Sequence, residues 1–263
     1  MLIIHHITIN FMSICLISYV YGKMEPFIVN GDHVYIEKFP HSAFLSAYCV
    51  TRYKTTIHIC GSSILNQAIL LTAAHCVYNC RRNSHFHAVV GNEYRDVGES
   101  GHVFSVSKSK IHDNYTDTNS QHDIALLKLK KSLLLGPRIA RVSITNNPPK
   151  NVVAFVAGWG VIDETRDLNT MWLISAAQRV WNRKECMKKL GKIPIGTFCA
   201  GITDSNSYPA PGDSGSALIV NNYIQIGVVS YKLPTISNNI TVYADVAYYY
   251  DWIEKNSKIL YCI

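Results

Sequence analysis

From residue 28 onward the chain alternates short apolar runs with turn-forming residues. "ICGSSIL" (59–65), "HAVVG" (87–91), "HVFSVSKSKI" (102–111), "DIALLKL" (123–129), "VVAFVAGWG" (152–160), "SALIV" (216–220) and "IQIGVVSY" (224–231) are β-branched or alternating, and Gly, Asn, Pro or Asp break them apart. Runs of this length predict strands, and their number predicts an all-β chain in one or two packed units. The longest helix is expected near the end, at "YYYDWIEKN", Tyr248 to Asn256, where apolar and charged residues mix. "ITNNPPKN" (144–151) reads as a junction between two halves, because paired prolines forbid helix and remove backbone donors. No internal repeat is legible.

The segment before residue 28 has a different character. An apolar run from Ile7 to Val20 ends at Tyr21 and Gly22 and is too short to span a bilayer. It predicts a secretory signal over 1–22, with small Val20 and Gly22 placed for processing. No other apolar segment approaches spanning length, so no membrane partner is expected. Export changes the reading of the eight cysteines, which then predict disulfides. Cys15 leaves with the signal and seven remain, so at least one is free or bonded to another chain. Asn114 in "NYT" and Asn239 in "NIT" become glycosylation acceptors.

At 263 residues and 48% hydrophobic, the chain has material for a sizeable core. The net charge of +7 is dispersed. "RYK" (52–54), "CRR" (80–82) and "KLKK" (128–131) are too short and scattered to predict a nucleic-acid partner and read as solvated surface.

Three polar stretches interrupt apolar surroundings: "LLTAAHC" with His75, "HDIALLKL" with Asp123 and "GDSGSALIV" with Ser214. A serine becomes nucleophilic when a base lies within hydrogen-bond reach, and that base needs a carboxylate to fix its tautomer. Singly, each residue has a structural explanation: a packed histidine, a strand-start cap, a turn serine. Together they point to acyl-transfer chemistry, which requires no metal or cofactor.

The ordered motifs "IVNG" (28–31), "TAAHC" (72–76), "HDIALLKL" (122–129), "AGWG" (157–160), "FCAG" (198–201), "GDSG" (212–215), "VVSY" (228–231) and "DWI" (251–253) resemble those of the chymotrypsin-like, or trypsin-fold, secreted serine endopeptidases. The resemblance implies two six-stranded antiparallel β-barrels with the active site between them and a C-terminal helix. It implies a catalytic triad of His75, Asp123 and Ser214, and an oxyanion hole made by the Gly212 and Ser214 backbone amides. It also implies a protease domain over 28–263, a short propeptide over 23–27, and activation by cleavage before Ile28, whose new ammonium would pair with Asp213. Phe27 precedes that bond, so the activating protease is not expected to be trypsin. Protein or peptide substrates and protein protease inhibitors are the implied partners. Cys60–Cys76 and Cys186–Cys199 are the implied disulfides. Cys49–Cys80 is a further pairing of leftover cysteines in the histidine half, and Cys262 is left over.

The pocket for the substrate side chain departs from the family. Tyr208 stands six residues before Ser214, where relatives carry an acidic or small residue, and a tyrosine floor would exclude cations and crowd large rings. The disulfide that usually staples this pocket is missing, with Ala210 in place of its first cysteine. Lys232 and Thr241 replace small glycines on the facing wall, beside Ser230 and Tyr231, which resemble the segment that aligns substrate backbone. Asp204 is a candidate to restore negative charge. Ser216 and Ala217 follow the nucleophile motif where relatives have Gly-Pro, and Pro209 and Pro211 stiffen the loop before it. The expected activity is a zymogen-derived endopeptidase favouring small or medium uncharged side chains. A catalytically inactive homologue acting as a binding or decoy protein is the alternative.

Overall fold

The computed structural model describes residues 28–29, 31–98, 102–149, 151–166, 168–203 and 207–262. The expected signal and propeptide segments and Asp204 lie outside the described residues. Twelve strands build two barrels. The first contains β1 (Ser42–Val50), β2 (Thr55–Ile64), β3 (Ile69–Thr72), β4 (His85–Val90), β5 (Val103–Ile111) and β6 (Ala125–Leu129). The second contains β7 (Val153–Gly158), β8 (Ile174–Trp181), β9 (Thr197–Ile202), β10 (Ala217–Val220), β11 (Ile224–Leu233) and β12 (Ser237–Asp245).

Each barrel closes in the same order, β1-β2-β3-β6-β5-β4 and β7-β8-β9-β12-β11-β10, with every barrel pairing antiparallel. A repeat invisible in the sequence is therefore present in the topology. Closure leaves no unpaired edge within either barrel.

Alternation explains the interiors. Along β1, Ala43, Leu45, Ala47 and Cys49 are buried while Tyr48 faces solvent. Leu45, Ile64, Ile69, Leu71, Val90 and Leu127 fill the first barrel. Ala154, Val156, Ile174, Leu218, Val229 and Tyr243 fill the second. Each fully buried Leu, Ile or Val side chain contributes about 1.5–3 kcal/mol relative to exposure. The chain crosses between barrels through the segment containing Pro148 and Pro149, between Leu129 and Val153.

Among the described residues, two α-helices complete the fold. Helix α1 (Arg183–Leu190) is an element that the strand pattern of the sequence does not announce; Asn182 caps it by accepting from the Glu185 amide at 3.0 Å, and the Glu185 carboxylate accepts from the Asn182 amide at 3.1 Å. Helix α2 (Tyr250–Cys262) starts later and runs further than the pattern at 248–256 predicts. It continues because Ile253 and Leu260, seven residues apart, extend one apolar stripe, which packs onto the first barrel although the helix follows the second. Among the described residues, no helix is long and apolar enough to cross a membrane.

Candidate active site

A single 3-10 turn, Ala74–Cys76, carries His75 directly after β3. The Cys60–Cys76 disulfide ties this turn to β2. Asp123 stands just ahead of β6, its side chain fully buried. Its oxygens divide their work. Oδ1 accepts the His75 backbone N–H at 2.9 Å, while Oδ2 pairs with His75 Nδ1 at 2.8 Å and accepts from Ser230 Oγ at 2.5 Å. The pairing places the proton on Nδ1 and leaves Nε2 of the neutral ring as a base. Burial pulls the His75 pKa down, but the charge and hydrogen bond of Asp123 outweigh it, and the net shift is upward.

Ser214 comes from the second barrel, in the loop before β10. Its carbonyl accepts the Gly61 amide at 2.7 Å, which pins the loop against β2. Gly215 has φ +84°, and a Cβ there would lie 2.2 Å from Thr72 Oγ1 and 2.4 Å from the Gly61 carbonyl. Only glycine permits this approach between barrels. His75, Gly212 and Ser214 line one cleft of about 360 Å³, together with His58, Asn169 and Pro211. His58 was missed in the sequence because no motif surrounds it.

The loop ahead of Ser214 is fixed by Asp213. Its buried carboxylate accepts from Gly160 N at 2.8 Å and Ala210 N at 2.9 Å. Burial raises its pKa to about 6 against these backbone bonds. The Pro211 carbonyl accepts from Val161 N at 2.7 Å, so the Gly212 N–H, on the far side of the same trans peptide, points away from Val161. Gly212 itself has φ +96° and stands so close to Gly160 that a Cβ would lie 2.9 Å from its Cα. Ile28 is fully buried in the second-barrel core with Val156, Leu218 and Tyr243.

A second cavity of about 310 Å³ adjoins Ser214, and Ser230, Tyr231, Lys232 and Thr241 all line it. Tyr208 is not among the lining side chains, so the expected tyrosine floor gives way to another arrangement. Its ring supports the Lys232 ammonium, 4.5 Å from the ring centroid, and Lys232 Nζ lies 2.6 Å from Glu164 Oε1. Glu164 was missed because its loop carries no motif. The Thr241 and Tyr243 side chains, two residues apart on β12, are both fully buried.

The disulfides Cys49–Cys80, Cys60–Cys76 and Cys186–Cys199 are formed, and Cys262 is an exposed free thiol. Among the described residues, one cluster has metal-ligand proximity, Cys60, His75 and Cys76, and its two sulfurs are consumed by their mutual bond. Asn114 and Asn239 are both exposed.

The Trypsin family profile matches residues 28–253. The chain belongs to the trypsin family of serine peptidases. Hypodermin-B of Hypoderma lineatum is 30% identical over 93% of this chain and 96% of its own. Trypsin eta of Drosophila melanogaster is 35% identical over 74% of this chain and 76% of its own. Among solved structures, HL collagenase superposes with a TM-score of 0.76 at 25% identity, covering 88% of this chain and 98% of that one. The scabies mite inactivated protease paralogue S-D1 gives 0.75 at 24% identity, over 88% and 97%, a likeness of fold alone.

Proposed function

We propose that this trypsin-family chain is a secreted serine endopeptidase made as a zymogen, with His75, Asp123 and Ser214 as its catalytic triad. Ser214 Oγ attacks a peptide carbonyl while His75 Nε2 takes its proton, and Asp123 stabilises the imidazolium. The Gly212 and Ser214 amides bind the developing oxyanion. His75 then protonates the departing amine, and water releases the acyl group by the same route. The observation that carries this reading is the fully buried Asp123, bonded to both the backbone and the ring of a histidine that shares a cleft with Ser214.

Cleavage between Phe27 and Ile28 would convert the Ile28 nitrogen from an amide to an ammonium and supply the buried Asp213 with a counter-charge. A chymotrypsin-like rather than trypsin-like activator suits Phe27. The substrate side-chain pocket favours small or medium uncharged residues, since Lys232 and Thr241 narrow it.

The test is cleavage profiling of protein beginning at Ile28 against a peptide library varied at the residue before the scissile bond. Cleavage after small or medium uncharged residues is expected, and uncut protein should be nearly inert. Strong Arg or Lys preference would overturn the pocket assignment. A second reading, a non-catalytic binding or decoy homologue, draws on the Lys232–Glu164 pair in the pocket, and would be favoured by absence of cleavage.

A further inference from the structure

The side-chain cavity beside Ser214 contains a charge pair that the sequence motifs do not announce. Lys232 lies on β11 directly opposite Thr241 on β12, and both line the cavity. The Lys232 side chain is only 10% exposed, and Glu164, 27% exposed, reaches it from the turn after Val161–Asp163. That turn is held by Asp163 Oδ1, which accepts from Thr165 N at 2.9 Å and Arg166 N at 3.1 Å. Tyr208 contributes twice, with its ring face to the ammonium and its hydroxyl 3.5 Å from Glu164 Oε2.

An ammonium this secluded needs a counter-ion, because desolvation penalises it more than an exposed pair gains. Glu164 supplies that charge, and the pair is neutral as a unit. A cationic substrate side chain would set a second positive charge beside Nζ. An uncharged one would pack beside the pair without breaking it. Without Glu164, the ammonium would face the cavity without its counter-charge, the chemistry that receives a carboxylate.

We propose that the Lys232–Glu164 pair, seated on Tyr208, is the specificity-determining element of this pocket: it rejects cationic side chains, and Glu164 masks a latent preference for acidic ones. This rests on the peptidase reading above. Glu164, outside every motif, is thereby assigned a role in substrate selection.

The experiment compares wild type, Glu164→Gln, Lys232→Gly and Lys232→Met, each cut before Ile28. All are profiled on the same library, with rates normalised to the fraction of Ser214 labelled by a fluorophosphonate. Glu164→Gln should raise cleavage after Asp and Glu, relative to Ala, by about tenfold or more. Lys232→Gly should raise cleavage after Arg and Lys by a similar factor through the unmasked Glu164, and admit larger side chains. Lys232→Met retains the bulk without the charge, and should admit cations without admitting larger apolar groups. Unchanged profiles in equally labelled variants would overturn the proposal, as would efficient cleavage after Arg or Lys by wild type. Failure of all four proteins to label would instead remove the peptidase reading and the proposal with it.

Discussion

Ser230 Oγ donates to Asp123 Oδ2 at 2.5 Å across the interface between the two barrels. Ser230 thus does more than shape the substrate channel, because it satisfies a buried charge that β6 and β11 deliver from different halves. Ser230→Ala should destabilise the fold by about 2 kcal/mol, the usual cost of removing a hydrogen bond from a buried charged group. Urea denaturation of the two proteins checks this, and an unchanged midpoint and slope would show that Asp123 finds another donor.

Because the His75 pKa is raised, catalysis should fail as pH drops through a value above the ordinary 6.5, where the ring gains its proton and ceases to be a base. Asp123→Asn should reduce kcat by roughly 10⁴ and move the remaining acidic limb to lower pH, since the carboxylate is what raises the ring. A pH–rate profile of each protein reads both effects.

Asp213 gives the opposite dependence on stability. Burial raises its folded pKa from 3.8 to about 6, so between those values the native state holds a proton that the unfolded state has lost. Stability of the uncut chain should therefore fall as pH rises across that window, by up to about 3 kcal/mol from this group. Asp213→Asn should make the uncut chain more stable at pH 7.5, and cleavage before Ile28 should erase that advantage. Denaturation curves at both pH values, before and after cleavage, provide the comparison.

The Cys60–Cys76 disulfide closes a loop with a sequence separation of 16 between β2 and the His75 turn. Replacing both cysteines by alanine should cost about 3 kcal/mol by loop entropy. Activity should fall further than stability alone requires, because His75 precedes one end of the bridge. Equal losses in activity and folded fraction at each denaturant concentration would remove the positioning role.

Strand positions were legible where apolar or alternating runs follow from which faces are buried, as in β6, β7 and β11, whereas β1, in which Ser42 and Ser46 interrupt the apolar residues, is not among the strands that the sequence predicts. Helix α1 carries a local signal, Asn182 with Glu185 three residues later and Gly191 after the end, but it is only 8 residues long and buries just Cys186 and Leu190, too little for an apolar stripe to stand out. The equal strand orders of the two barrels left no trace, since burial constrains polarity and size rather than identity. His75, Asp123 and Ser214 stood out as polar residues among apolar neighbours. Glu164 and His58 did not, because Glu164 reaches its site from a loop and His58 from an exposed position within β2, and what either one faces depends on the tertiary fold.

The most direct measurement is fluorophosphonate labelling of the chain cut before Ile28, with the modified residue located by mass spectrometry. Stoichiometric labelling at Ser214, lost in Ser214→Ala and in protein that cannot be cut after Phe27, is the predicted result. Absence of labelling in folded, correctly cut protein would contradict the assignment of Ser214 as the activated nucleophile.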